Sequence, residues 1–227
     1  MQKNISVIIV ANNNPESLEK VIWSYNTQTF RNFEVIIVNK NSSNSVLEVV
    51  KAIEKEVFFP MICVNSTEEN SENNYIKQAV EVAATNYILV TNSNCLPRPD
   101  FIEQHIKNRV EEYFLIGTSF EIPKKVSDKI TKDVVYSSQC FDSKWLQKNG
   151  LKSFINQFFI TSSGLINSFF DEFSTINLDH NATNWSFWKS DFDKTTNYDT
   201  SIINQFINNG LKSKCIKYRA ILLKVTN

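Results

Sequence analysis

The side chains best suited to chemistry are few and scattered. Two histidines, His105 and His180, and four cysteines, Cys63, Cys95, Cys140 and Cys215, lie far apart in the chain. No CxxC pair occurs, so neither a zinc site nor a disulfide framework is expected. The four thiols read as buried or idle groups in a reducing compartment. With 4 glycines in 227 residues, there is no GxGxxG or GxxxxGK[ST] loop to cradle phosphates. What stands out instead is asparagine, 28 residues of it, including Asn12 to Asn14, Asn39, Asn92 and Asn94. A base-composition bias of the genome explains such an excess in general. The positions of these residues decide whether it explains them in particular.

Elements must place those residues. The 24 basic and 24 acidic side chains balance, which argues against a nucleic-acid binder. The 42% apolar content can fill the core of one domain. Residues 5–11 and 33–38 are near-continuous apolar runs, as strands covered on both faces require. Asn14 followed by Pro15 reads as a helix cap and first turn, and Leu18, Val21, Ile22 and Tyr25 follow on one face. Helices are expected over 46–59 and 75–84, and strands over 61–64 and 87–91. This alternation predicts an α/β fold, an open, mostly parallel, Rossmann-like sheet flanked by helices. Ligands of such sheets bind beyond the carboxyl ends of the strands, which singles out residues 12–14, 39–43 and 92–95.

The second half is less regular. A helix over 99–110, with His105 packed on its buried side, precedes a strand over 113–120. A short helix over 202–209 closes at Gly210, and a last strand follows over 214–225. Residues 124–143 are polar and hard to place, and 154–165 are rich in aromatics. The first apolar run is too short to span a membrane and lacks a leader cleavage pattern. A cytoplasmic protein is expected, at most peripheral to the inner face of a membrane. A single domain over 1–227 is expected, with residues 1–120 forming one half and 121–227 the other.

Several patches then resemble the family 2 glycosyltransferases, which have a GT-A fold. They are Ser6-Val7-Ile8-Ile9-Val10, Asn13 with Pro15-Glu16-Ser17-Leu18, Ser24, Gln28-Thr29-Phe30 and Asn32 to Val38. The likeness resumes at Ala83 and Tyr87 to Val90, then at Pro97, Pro99-Asp100-Phe101-Ile102, and loosely at Asn184 to Phe192 and Asn197-Tyr198-Asp199. It covers the first 120 residues well and the last 45 loosely. It implies transfer of a sugar from a nucleotide diphosphate sugar to a glycan or lipid-linked acceptor. It also implies a divalent cation held by carboxylates and a carboxylate general base.

Position by position, the acidic demands are not met. Where the family has Asp-Asp after the second strand, this chain has Asn39 and Lys40. Where it has the Asp-x-Asp metal motif, Asn92, Ser93 and Asn94 stand. The Arg-Asn-x-Gly of the third helix becomes Ile76, Lys77, Gln78 and Ala79, and the late metal-binding His has Lys224 as its counterpart. The resemblance thus assigns nucleotide-sugar contacts to Asn13, Asn39, Lys40, Lys77, Asn92, Asn94 and Lys224. It assigns the acceptor side to Trp185 and Trp188, and the base to Asp199, with Asp191 as a fallback. Trp185 and Trp188 read equally as core residues, and Asp199 as the cap of the following helix. No metal cofactor is expected.

Two outcomes fit this pattern. In one, the fold survives and the reaction is impaired, leaving a domain that binds a sugar, a nucleotide sugar or a partner transferase. In the other, Lys40, Lys77 and Lys224 neutralise the diphosphate in place of the metal and the enzyme is active. A partner-docking module on a doubly wound scaffold is the third possibility.

Overall fold

The computed structural model describes residues 4–12, 14–40, 43–66, 72–151, 183–195 and 201–224. Strand β1 (Ile5–Ala11) is buried along its whole length, and its alternate side chains enter two different cores. Ile5, Val7, Ile9 and Ala11 face one, together with helices α1 (Pro15–Tyr25) and α2 (Asn44–Ile53). Ile8 and Val10 face the other, built on α3 (Glu72–Val82) through Tyr75, Ile76, Ala79 and Val80. This two-sided burial is why the sequence runs apolar without alternation. Strands β2 (Phe33–Lys40) and β4 (Tyr87–Asn92) flank β1 in parallel, and β3 (Met61–Ser66) lies outside β2.

The remaining elements are β5 (Cys95–Pro97), α4 (Phe101–Asn108), β6 (Tyr113–Glu121), short helices α5 (Lys124–Ser127), α6 (Lys132–Tyr136) and α7 (Ser143–Lys148), β7 (Asn184–Trp188), α8 (Lys189–Phe192), α9 (Ile202–Asn208) and β8 (Lys212–Leu222). A single 3₁₀ turn, Gln139–Phe141, precedes α7. The eight strands form one sheet in the order β3-β2-β1-β4-β7-β6-β8-β5. Strand β7 runs antiparallel to both β4 and β6. The sheet is mixed α/β and mostly parallel, as expected.

Three differences from the sequence expectations have physical causes. Helix α2 ends at Ile53 rather than running to 59. Phe58 and Phe59 leave the helical path to pack their rings 5.5 and 4.9 Å from Phe33, and Pro60 could not continue the helix. Residues 124–143, hard to place in sequence, hold two short helices and the start of a third, four to six residues each, of which α6 and α7 are capped locally by Thr131 and Asp142. The third difference is β7, a central strand where only a family-like patch was read. The aromatic-rich residues 154–165 lie outside the described residues. Gly210 takes φ +85 at the end of α9, the left-handed cap expected there.

His105 is fully buried, its Nδ1 2.8 Å from Ser186 Oγ, as a packed rather than a ligating histidine. Cys95 and Cys140 are buried, while Cys63 and Cys215 are half-buried, all four as free thiols. Burial pushes the Cys95 thiol up to about 11 and the Cys140 thiol up to about 12, from an ordinary 9.0. The fold therefore keeps them neutral where the unfolded chain ionises. Their contribution to stability is full below pH 9 and is lost as pH rises through 11 and 12. At about 1.4 kcal/mol per unit, urea unfolding should show a loss of a few kcal/mol over that window. A Cys140→Ala variant should show a shallower slope.

Candidate functional site

The crossover from β1 through α1 to β2 goes one way, and that from β3 through α3 to β4 returns on the other side of β1. Such a reversal opens a crevice at the carboxyl ends of β1 and β4. The register brings Ala11 opposite Asn39 and Val10 opposite Asn92, so Asn39 and Asn92 flank the loop at residues 12–14. Asn14 begins α1, its Oδ1 accepting the Ser17 N–H at 2.8 Å.

The turn between β4 and β5 is pinned on both sides. Ser93 N–H donates to Val10 O at 3.0 Å, and Ser93 Oγ accepts the Asn12 N–H at 3.1 Å. Asn94 Nδ2 donates to Leu223 O at 3.3 Å, and Leu223 N–H donates to Asn94 O at 2.8 Å. This last pair draws the end of β8, and with it Lys224, to the rim of the crevice. Lys224 lines a small polar cleft with Asn14, Ser17, Lys20 and Ser127 at the start of α1. Lys20 is buried there, donating to Glu16 Oε1 at 2.6 Å and to Ser127 O at 3.1 Å. Lys224 Nζ stands 3.4 Å from Glu121 Oε1, both side chains more than half exposed, a pair worth little and readily exchanged.

Asn39 is completely buried and both halves of its carboxamide are engaged. Its Oδ1 accepts the Ser43 N–H at 3.0 Å. Its Nδ2 donates to Ser43 O at 3.1 Å and to Asn65 Oδ1 at 2.9 Å. The side chain thus closes the β2–α2 turn and ties it to β3. Lys40, exposed at the tip of β2, places its Nζ 5.3 Å from the Tyr75 ring centre, within cation–π range. Lys77 sits half-buried on α3 and has interactions of its own.

The other assigned residues are not gathered here. Trp185 is a core residue, 6% exposed, stacked on Phe187 at 4.8 Å and edge-on to Phe206. Its faces are covered, so it offers no platform to a sugar. Trp188 pairs with Tyr87, the first residue of β4, and its Nε1 donates to Val110 O at 3.2 Å. Because β7 runs antiparallel, Trp188 and Asp191 in the following α8 lie at the opposite end of the sheet from Asn92. Asp191 is there paired with Lys194 at 2.9 Å. Asn13 and Asp199 lie outside the described residues.

The cation that the resemblance implies wants carboxylate oxygens. The residues at its place are two neutral carboxamides and a hydroxyl, and the Ser93 and Asn94 side chains already serve the backbone. Among the described residues no group of three His, Cys, Asp or Glu side chains is placed to hold a metal ion. This donor set does not fit a hard dication.

Sequence reading missed the polar cluster beneath the crevice. Beneath the β4–β5 turn the Cys95 thiol is ringed by Thr91, Ser119, Thr183 and Asn184, whose hydrogen bonds oppose the burial that raises it. Two signals were available. Gly117 ends the apolar run Phe114 to Ile116 inside a strand, which marks close approach of another group, and Asn184 opens a polar–aromatic alternation.

A crevice at a strand-order reversal in a mixed sheet is the frame of the GT-A fold. The family model for glycosyl transferase family 2 matches residues 6–170, and the chain belongs to that family. Among curated proteins, the dolichyl N-acetyl-alpha-D-glucosaminyl phosphate 3-beta-D-2,3-diacetamido-2,3-dideoxy-beta-D-glucuronosyltransferase of Methanococcus voltae is 24% identical over 160 residues, 66% of this chain and 50% of that one. This chain therefore spans about half the length of that relative. Among solved structures, S. aureus TarS 1–349 in complex with UDP-GlcNAc superimposes with a TM-score of 0.59 at 14% identity, over 99% of this chain and 59% of that one. The 4-diphosphocytidyl-2C-methyl-D-erythritolsynthase from Anaerococcus prevotii gives 0.57 at 13% identity, over 100% and 94%. At such identities the structural likeness concerns the fold. No described helix is long and apolar enough to cross a membrane.

Proposed function

We propose that this chain is a family 2 glycosyltransferase domain impaired in catalysis, which binds a nucleotide diphosphate sugar or its sugar without a divalent cation. The observation that carries the reading is Asn39. At a position where the family has an acid facing the nucleoside, the chain has a carboxamide whose donors and acceptor are used by Ser43 and Asn65. Asn92 and Asn94 point the same way, since a neutral carbonyl is a weak ligand for a hard cation and each lost carboxylate removes a charge–charge attraction.

A second reading has its own support. Lys40 ends β2 and Lys224 lies just past β8, and the exposed Lys224–Glu121 pair could give way to a diphosphate. On that reading Lys40, Lys77 and Lys224 offset the leaving charge, Asp199 removes the acceptor proton, and the domain transfers sugar without metal.

Calorimetric titration with UDP-sugars, with and without Mn²⁺, alongside product analysis, separates the two. The impaired domain binds with an affinity that Mn²⁺ leaves unchanged and yields neither transferred sugar nor hydrolysed donor. Turnover that disappears in Asp199→Asn would overturn it in favour of the lysine-assisted enzyme. No binding at all would turn the assignment toward docking of a partner transferase.

A further inference from the structure

Strands β6 and β7 are in register at Gly117 and Asn184, just below the crevice. Asn184 is 1% exposed. A β-carbon at Gly117 would stand 1.5 Å from Asn184 Oδ1 and 2.4 Å from its Cγ. The carboxamide therefore occupies the space that any other residue at 117 would fill. Among the described residues its Oδ1 has no hydrogen-bond donor. Its Nδ2 reaches Thr183 Oγ1 at 3.3 Å and Cys95 Sγ at 4.0 Å.

A buried carboxamide held at the cost of an unsatisfied oxygen and an obligatory glycine is a poor way merely to fill a core. An aliphatic side chain would do so without an orphaned acceptor. What the carboxamide gains is its neighbours. Thr91 and Cys95 immediately flank the turn at Asn92–Asn94, and both turn their polar groups into the cluster that Asn184 joins. Thr91 Oγ1 also donates to Thr183 O, the residue before Asn184, at 3.4 Å. Above, the turn is fastened to β1 and β8 by backbone hydrogen bonds. Below, the side chains that flank it meet this cluster.

The structure assigns Asn184 as a positioning residue: seated on the bare Cα of Gly117, it fixes the height and orientation of the β4–β5 turn that forms the floor of the crevice. The assignment takes its functional meaning from the crevice reading above, but it can be tested without a ligand.

Hydrogen exchange on the full chain, in Asn184→Ala, Gly117→Ala and the double variant, provides the test. In Asn184→Ala the Ser93 and Leu223 amides should exchange at least tenfold faster relative to Ile37, which lies in β2 away from the cluster. Gly117→Ala should behave similarly and lose thermal stability as well, because the new methyl drives the carboxamide out. The double variant is decisive. The methyl introduced at position 117 fills the space left by the carboxamide, so thermal stability returns above that of Gly117→Ala while the turn amides stay fast. Recovery of turn protection together with stability would show that Asn184 only fills space, and a uniform acceleration of all amides would equally overturn the assignment. Where the wild-type chain binds a UDP-sugar, the double variant should bind it at least tenfold more weakly. Absence of binding by the wild type would count against the proposed function and leave the exchange result standing.

Discussion

Asn39→Asp, the substitution that gives the chain the family's acid, should destabilise the fold by about 3 kcal/mol at neutral pH rather than restore a binding group. The Asn39 site is fully buried and presents one donor, the Ser43 N–H, and two acceptors, Ser43 O and Asn65 Oδ1. A carboxylate keeps the first contact and turns an oxygen toward the other two. Asn65 is exposed and can rotate its amide to donate, but the Ser43 carbonyl is fixed by the turn. The buried charge raises the pKa of the new carboxyl, so the sign of the pH dependence is set. The penalty is absent below the unfolded carboxyl pKa of about 4 and grows as pH rises toward the raised folded value. Urea unfolding of the two proteins at pH 4 and pH 7 measures it. Equal stability at both values would mean that Asn39 is an idle replacement.

Trp185→Ala should cost about 3–5 kcal/mol, in the range of large aromatic truncations in a core. The indole is stacked on Phe187, with Phe206 set edge-on, and the polar backbone of a central strand leaves the hole little room to collapse. Affinity for sugar ligands, acceptor glycans included, should not change per folded molecule. A residue that stacked on a sugar would behave in the opposite way, with small stability loss and large affinity loss. Denaturant titration combined with calorimetry in conditions where the variant is folded distinguishes the two.

The parts of this molecule that were legible in sequence are those whose signal is local. Ile5 to Ala11 and Phe33 to Val38 are apolar at nearly every position because both faces are covered, and Asn14-Pro15 starts a helix by its own chemistry. The parts that were not legible depend on partners distant in the chain. Asn184 to Trp188 carries a short polar–aromatic alternation, but only β4 and β6, distant in the chain, provide the hydrogen bonds that make it a central strand. Direction was also hidden. Trp188 and Asp191 group with the site in sequence because they belong to a family-like patch, but an antiparallel strand takes its carboxyl end away from the carboxyl ends of its parallel neighbours. Asn39 was identified as a site position but not as a residue whose hydrogen bonds were already committed. That depends on Asn65, brought beside it by the β2–β3 register.

The placement of β7 also bears on how the chain reaches its native state. Its five residues lie between β4 and β6, so the middle of the sheet is supplied by a segment far along the sequence from the strands it joins. The 1–120 half has β1 to β6 in hand and still has an open seam with two facing rows of unpaired backbone groups. Contacts of such high sequence separation slow folding, and during synthesis the seam stays exposed until residue 188 has emerged. An intermediate of this kind can pair its open edges with a neighbour's. The family likeness divides the chain into two halves, yet the order of the strands interleaves them, with β7 of the second half lying between β4 and β6 of the first.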